Sequence, residues 1–139
     1  MGKLSMTDAE VDAFLDEERV LRLATLDEDG WPAVIPVWFV WHDGAFWVWN
    51  LTRAKRTRRL EEGTRCAFTV DAGVEYLELR GVSGRLEYGF VEEDAVPHDV
   101  RVGFSQKYLG SSDPIEPADH HAWIRFAPST MNTWDFRKH

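Results

Sequence analysis

Residues 23–50 read LATLDEDGWPAVIPVWFVWHDGAFWVWN, and this stretch decides the fold. Apolar residues fill three runs, separated by two turn signals. Asp29-Gly30 can supply the positive φ of a tight turn, and His42-Asp43-Gly44-Ala45 marks a hairpin. Pro32 and Pro36 lack a ladder N–H, so the middle run belongs at a sheet edge or carries a bulge. Three strands joined in this way predict an antiparallel meander.

The flanking sequence extends that pattern. Thr7-Asp8-Ala9-Glu10 has the form of a capping box. Val11, Phe14 and Leu15 follow at helical spacing, which predicts a helix over about residues 7–18. After the meander, NLTRAKRTRRLEEG (residues 50–63) reads as a short helix over residues 52–60 that ends near Gly63. RCAFTVD (65–71) is a strand, and EYLELRGVSGRLEYG (75–89) a longer one with Leu77 and Leu79 on one face. Gly81 and Gly84 mark a bulge or a sharp bend in it. Residues 91–110 are helical, with Pro97 interrupting them or opening their second part. HAWIRFA (121–127) is a sixth strand, which residues 130–139 extend or pair with. Six strands with short turns and two or three helices predict a mainly β protein. Its architecture is one domain over residues 1–139, an antiparallel six-stranded barrel with helical inserts.

Composition narrows the function classes. The formal net charge is -8, which opposes a dedicated nucleic-acid binder. No run approaches the roughly 20 apolar residues of a membrane span, and the N-terminal stretch has no leader-like apolar core. With a single cysteine there is no internal disulfide framework. The expectation is therefore a cytoplasmic protein with neither a nucleic acid nor a membrane as partner.

Against that acidity, Arg53, Lys55, Arg56, Arg58 and Arg59 fall within seven residues. On a helix, Thr52, Lys55, Arg56 and Arg59 share one face and Arg58 points away. One reading is a solvated basic face. Another is a phosphate site, where a strand leads into a helix N-terminus and arginine forks grip phosphate oxygens. A third is a nucleic-acid contact beside stacking aromatics, which the overall charge opposes.

Other chemistry is sparse. Cys66 reads as a buried small hydrophobe. His120 and His121 are neighbours on a strand and face opposite ways, so they chelate poorly, and no metal site is expected. No Ser/His/Asp arrangement, G-x-S-x-G, G-x-G-x-x-G or Walker loop is present. Most of Trp31, Trp38, Trp41, Trp47 and Trp49 reads as core and dimer interface. Trp47 and Trp49 share one strand face, Phe46 and Val48 the other. Trp134 is a candidate for a ring-edge contact or an interface plug. Tyr108, His98 and His120 are candidate proton donors.

These blocks, in their order, resemble the pyridoxamine 5′-phosphate oxidase-like family. The resemblance rests on residues 23–50, the basic segment, LELRGVSGRLE, QKYLG and RFAPSTMNTWDF. It implies a split β-barrel of the FMN-binding type and a homodimer with the cofactor between subunits. It implies FMN, or alternatively the deazaflavin coenzyme F-420. Val37 and Trp38, in PVWFVW, would lie beside the isoalloxazine ring; Asn50 and Thr52 lead to the phosphate. Relatives often carry Lys-x-Arg-Asn-Leu in the following helix, where this chain has Arg56-Thr57-Arg58-Arg59-Leu60. Arg56 thus stands at the Lys position and can still hold a phosphate; Arg59 stands at the Asn position and adds charge. With Lys55 and Trp134 these complete the candidate cofactor residues.

The resemblance implies a flavin-dependent oxidoreductase moving hydride to or from a small molecule. The alternative is a non-catalytic flavin- or haem-binding module for storage, sensing or transfer. Pyridoxamine phosphate oxidases also carry a C-terminal substrate-binding segment that is not evident before His139, so pyridoxal phosphate synthesis is not expected.

Overall fold

Thr7 opens the first helix. Its Oγ1 accepts from Glu10 N at 3.2 Å, and Glu10 Oε1 accepts from Thr7 N at 2.9 Å. This is the expected capping box, and helix α1 follows over Asp8–Glu17. Val11, Phe14 and Leu15 are buried on its inner face. The computed structural model describes residues 2–139, so Met1 of the N-terminal stretch lies outside the described residues.

Eight strands follow rather than six: β1 (Leu21–Leu26), β2 (Pro32–Val37), β3 (Val40–His42), β4 (Ala45–Leu51), β5 (Cys66–Ala72), β6 (Arg80–Val91), β7 (His121–Pro128) and β8 (Asn132–Asp135). Helix α2 spans Lys55–Glu62, and helix α3 spans His98–Phe104 and runs into a π turn at Ser105–Leu109. Every strand pairing is antiparallel, in the order β2-β1-β5-β6-β7-β4-β3, with β8 on β6. The sheet does not close.

The quoted stretch forms two hairpins, not a meander. β1 pairs with β2 and β3 with β4, but β2 and β3 lie at opposite ends of the strand order. β2 is an edge strand, as its prolines require. The run breaks at Phe39, whose N–H donates to the Tyr108 hydroxyl at 2.9 Å. That hydroxyl shares its own proton between the carbonyls of Phe39 (3.0 Å) and Arg19 (2.8 Å). A side chain thus takes the place of a ladder neighbour and ends the strand. Asp43 and Gly44, at φ 49° and 74°, make the expected tight turn between β3 and β4.

Two further expectations change. Tyr76–Glu78 is a 3-10 turn, so β6 starts only at Arg80 and the Leu77/Leu79 alternation is not a strand face. The C-terminal β8 pairs with β6, not β7. β6 carries β8 on Arg80–Ser83 and β7 on Leu86–Val91, and the handover falls at Gly84. A Cβ at Gly84 would strike the Thr130 carbonyl, and one at Gly81 the Trp134 ring. These glycines admit a close neighbour at a change of partners.

β4 is buried on both faces. Phe46 and Val48 enter the main core under α1, while Trp47 enters a second cluster with Trp123, Phe104 and Val100 of α3. Trp49 packs against that second cluster. This division follows the strand alternation read from FWVWN.

Candidate functional site

The site begins where β4 ends. Asn50 is 1% exposed. Its amide nitrogen donates to Thr57 Oγ1 at 2.9 Å, and Thr57 donates on to the Leu51 carbonyl at 2.9 Å. The Asn50 carbonyl accepts from Arg56 Nε at 2.9 Å. Thr52 continues the β4–β7 edge, its N–H donating to the His120 carbonyl at 2.7 Å. α2 therefore starts at Lys55, three residues later than expected, and Thr52 does not share the helix face.

Arg56 and Arg59 point from α2 toward the β1–β2 hairpin. Together with Lys55, Ala54, Thr25, Ala33 and Ile35 they line a chamber of about 180 Å³. Neither arginine forms a salt bridge among the described residues. Burial pulls the Arg56 guanidinium below its ordinary pKa, although an arginine there stays charged. The Nε of Arg59 is buried with no hydrogen-bond partner among the described residues. Arg58 is on the far side, tied to Glu62 at 3.0 Å.

Arg56 also forms one wall of a second pocket of about 340 Å³. Its other walls are apolar: Val20, Pro36, Val37, Trp38, Val48, Trp49 and Leu51. Trp38 is 49% exposed and stacks on Tyr108, with centroids 4.3 Å apart. Trp49 stacks on His121 at 4.0 Å. A cationic chamber and an aromatic-walled pocket thus meet at one arginine.

Among the candidates from sequence, Val37 and Trp38 line the apolar pocket, and Lys55, Arg56 and Arg59 line the chamber. Asn50 lines neither and instead holds Arg56. Thr52 and Trp134 line neither; Trp134 lies on β8 over Gly81. The three candidate proton donors also stand outside both pockets. Burial pushes the Tyr108 phenol up to about 12, and its proton is held by backbone carbonyls. His120 Nε2 lies 2.6 Å from Arg53 Nη2; since arginine only donates, that nitrogen accepts.

The hairpin wall of Thr25, Ala33 and Ile35 was missed from sequence. A signal existed: Leu21, Leu23 and Thr25 are the buried positions of β1, and Thr25 is the polar one.

The model of the pyridoxamine 5′-phosphate oxidase family matches residues 7–135. The chain belongs to that family. No curated protein matches it. Among solved structures, it is similar to the conserved hypothetical protein Rv2991 from Mycobacterium tuberculosis at 26% identity and a TM-score of 0.86, covering 99% of this chain and 90% of that one. HutZ, the haem storage protein from Vibrio cholerae, shares the fold at 19% identity and a TM-score of 0.74, over 95% of this chain and 98% of its own. An F-420 reductase shares it at 21% identity and a TM-score of 0.63, over 87% of this chain and 94% of its own. Among the described residues no helix is long and apolar enough to cross a membrane.

Proposed function

We propose that this member of the pyridoxamine 5′-phosphate oxidase family is an oxidoreductase that binds FMN, with the deazaflavin coenzyme F-420 as the alternative ligand. One observation carries the reading. Two arginines without carboxylate partners among the described residues line a chamber that shares Arg56 with an aromatic-walled pocket. Arg56, Arg59 and Lys55 would hold a phosphate. Trp38 and Val37 would border the ring. The bound cofactor supplies hydride chemistry, and the chain supplies binding, orientation and water exclusion. The exposed apolar rim at Val20, Trp38 and Leu51 supports a homodimer in which a second copy covers the ring.

Haem is the weaker reading. Among the described residues no His, Cys, Met or Tyr lines the aromatic-walled pocket, and haem iron takes its axial ligand from such side chains. The fold shared with a haem storage protein does not supply one.

Absorption titrations of the purified protein with FMN, F-420 and haem test the proposal. The expected result is saturable FMN or F-420 binding, then reduction of the bound cofactor by a nicotinamide or reduced-deazaflavin donor and reoxidation by an acceptor. Arg56→Ala removes one charge-assisted contact worth about 1.5–3 kcal/mol, so affinity should fall roughly 10- to 150-fold. Unchanged affinity for both cofactors in that variant rejects the phosphate role.

A further inference from the structure

A half-buried arginine ordinarily pairs with a carboxylate, because a charge taken from water without a counter-ion is costly. Arg56 pairs with an amide instead. We propose that Asn50 is a neutral positioning residue. It fixes Arg56 without discharging it, and so makes the adjoining chamber selective for ligands bearing a phosphate over the same ligands without one. The proposal rests on the cofactor reading above and names what sets the selectivity of that site.

The orientation of the amide follows from its partners. Arg56 Nε can only donate, so the atom facing it is the Asn50 carbonyl oxygen. Thr57 donates its proton to the Leu51 carbonyl, so its oxygen accepts from the Asn50 nitrogen. Every member of this buried chain has a partner, which locks the Asn50 rotamer. Arg56 is then held through Nε alone, and its two terminal nitrogens remain for a ligand. The charge around it stays positive. Lys55 and Arg59 line the same chamber, no carboxylate among the described residues lines it, and Glu62 is drawn to the opposite face by Arg58.

Aspartate has nearly the shape of asparagine. At residue 50 it would set a full negative charge where the carbonyl now meets Arg56 Nε, 2.9 Å away. The ion pair would cancel the charge that the ligand is to meet.

The test compares the wild-type protein with Asn50→Asp, titrated with FMN and with riboflavin, which lacks the phosphate. Inorganic phosphate is added separately while the Arg56 Nε–H resonance is followed by NMR. In the wild type FMN should bind at least about tenfold tighter than riboflavin. In Asn50→Asp that preference should fall by about tenfold or more, with riboflavin affinity unchanged. A folding defect would weaken both flavins together, so the ratio separates positioning from structural damage. A preserved ratio in Asn50→Asp overturns the proposal. If the wild type binds no flavin, but phosphate shifts the Arg56 resonance in the wild type and not in Asn50→Asp, the cofactor reading falls and the role of Asn50 stands. If phosphate leaves the wild-type resonance unmoved, the role of Asn50 falls as well.

Discussion

Replacing Arg59 with leucine should move stability and affinity in opposite directions. The Nε of Arg59 is buried without a partner, and the side chain forms no salt bridge among the described residues. An unsatisfied buried donor of this kind costs about 1–3 kcal/mol. Leucine keeps much of the aliphatic stem and removes the donor and the charge. The cofactor-free protein should therefore gain up to that amount, a rise of about 3–10 °C in melting temperature for a chain of this size. On the proposed FMN reading a charge-assisted phosphate contact is lost in exchange, so FMN affinity should drop roughly 10- to 150-fold. Calorimetry of the cofactor-free protein and fluorescence titration with FMN read the two effects separately. A lower melting temperature with unchanged FMN affinity would refute the reasoning, because Arg59 would then be an ordinary stabilising residue.

Burial lowers the Lys107 amine from its ordinary 10.5 to about 8. Between those values the folded state holds fewer protons than the unfolded chain, so stability should rise with pH. Cys66 and Tyr108, pushed up to about 11 and about 12, act in the opposite sense once pH passes their ordinary 9.0 and 10.0. The clean window is pH 8–9, where urea midpoints should show a gain of at most about 1 kcal/mol, reduced by partial solvation of the amine. Lys107→Met should abolish that rise; if the slope persists, another group causes it. Gly84→Ala should destabilise by about 1–3 kcal/mol, because its Cβ would meet the Thr130 carbonyl. Gly89→Ala on the same strand meets nothing within 4 Å, and equal melting temperatures for the two variants would contradict the close-approach reading.

Local chemistry made much of this legible in the sequence. The capping box at Thr7, the Asp43-Gly44 turn, the edge position of β2 and the two faces of β4 each follow from one residue property acting over a few positions. Arg56, Arg59 and Lys55 were legible because helical spacing alone groups them. What stayed hidden depended on partners distant in sequence. The break at Phe39 depends on Tyr108, 69 positions away. The pairing of β8 with β6 depends on the space left at Gly81 and Gly84, which in sequence reads equally well as a bulge. Asn50 was a candidate through the family resemblance, in which the residues after the hairpin lead to the phosphate; that its side chain meets Arg56 and Thr57 emerges only once α2 is placed.

The break at Phe39 also explains how a sheet whose main core is filled can present an apolar pocket. Had residues 32–42 run on as one strand, Val37 and Trp38 would have pointed to opposite faces of it and could not have lined one pocket together. Tyr108 ends the strand by binding the Phe39 N–H and sharing its own proton with the Phe39 carbonyl. Its ring then backs Trp38, with the two planes only 9° apart. The same residue thus separates the hairpins and supports one wall of the aromatic-walled pocket. That double use accounts for a phenol kept protonated and away from solvent chemistry: its proton is committed to the fold.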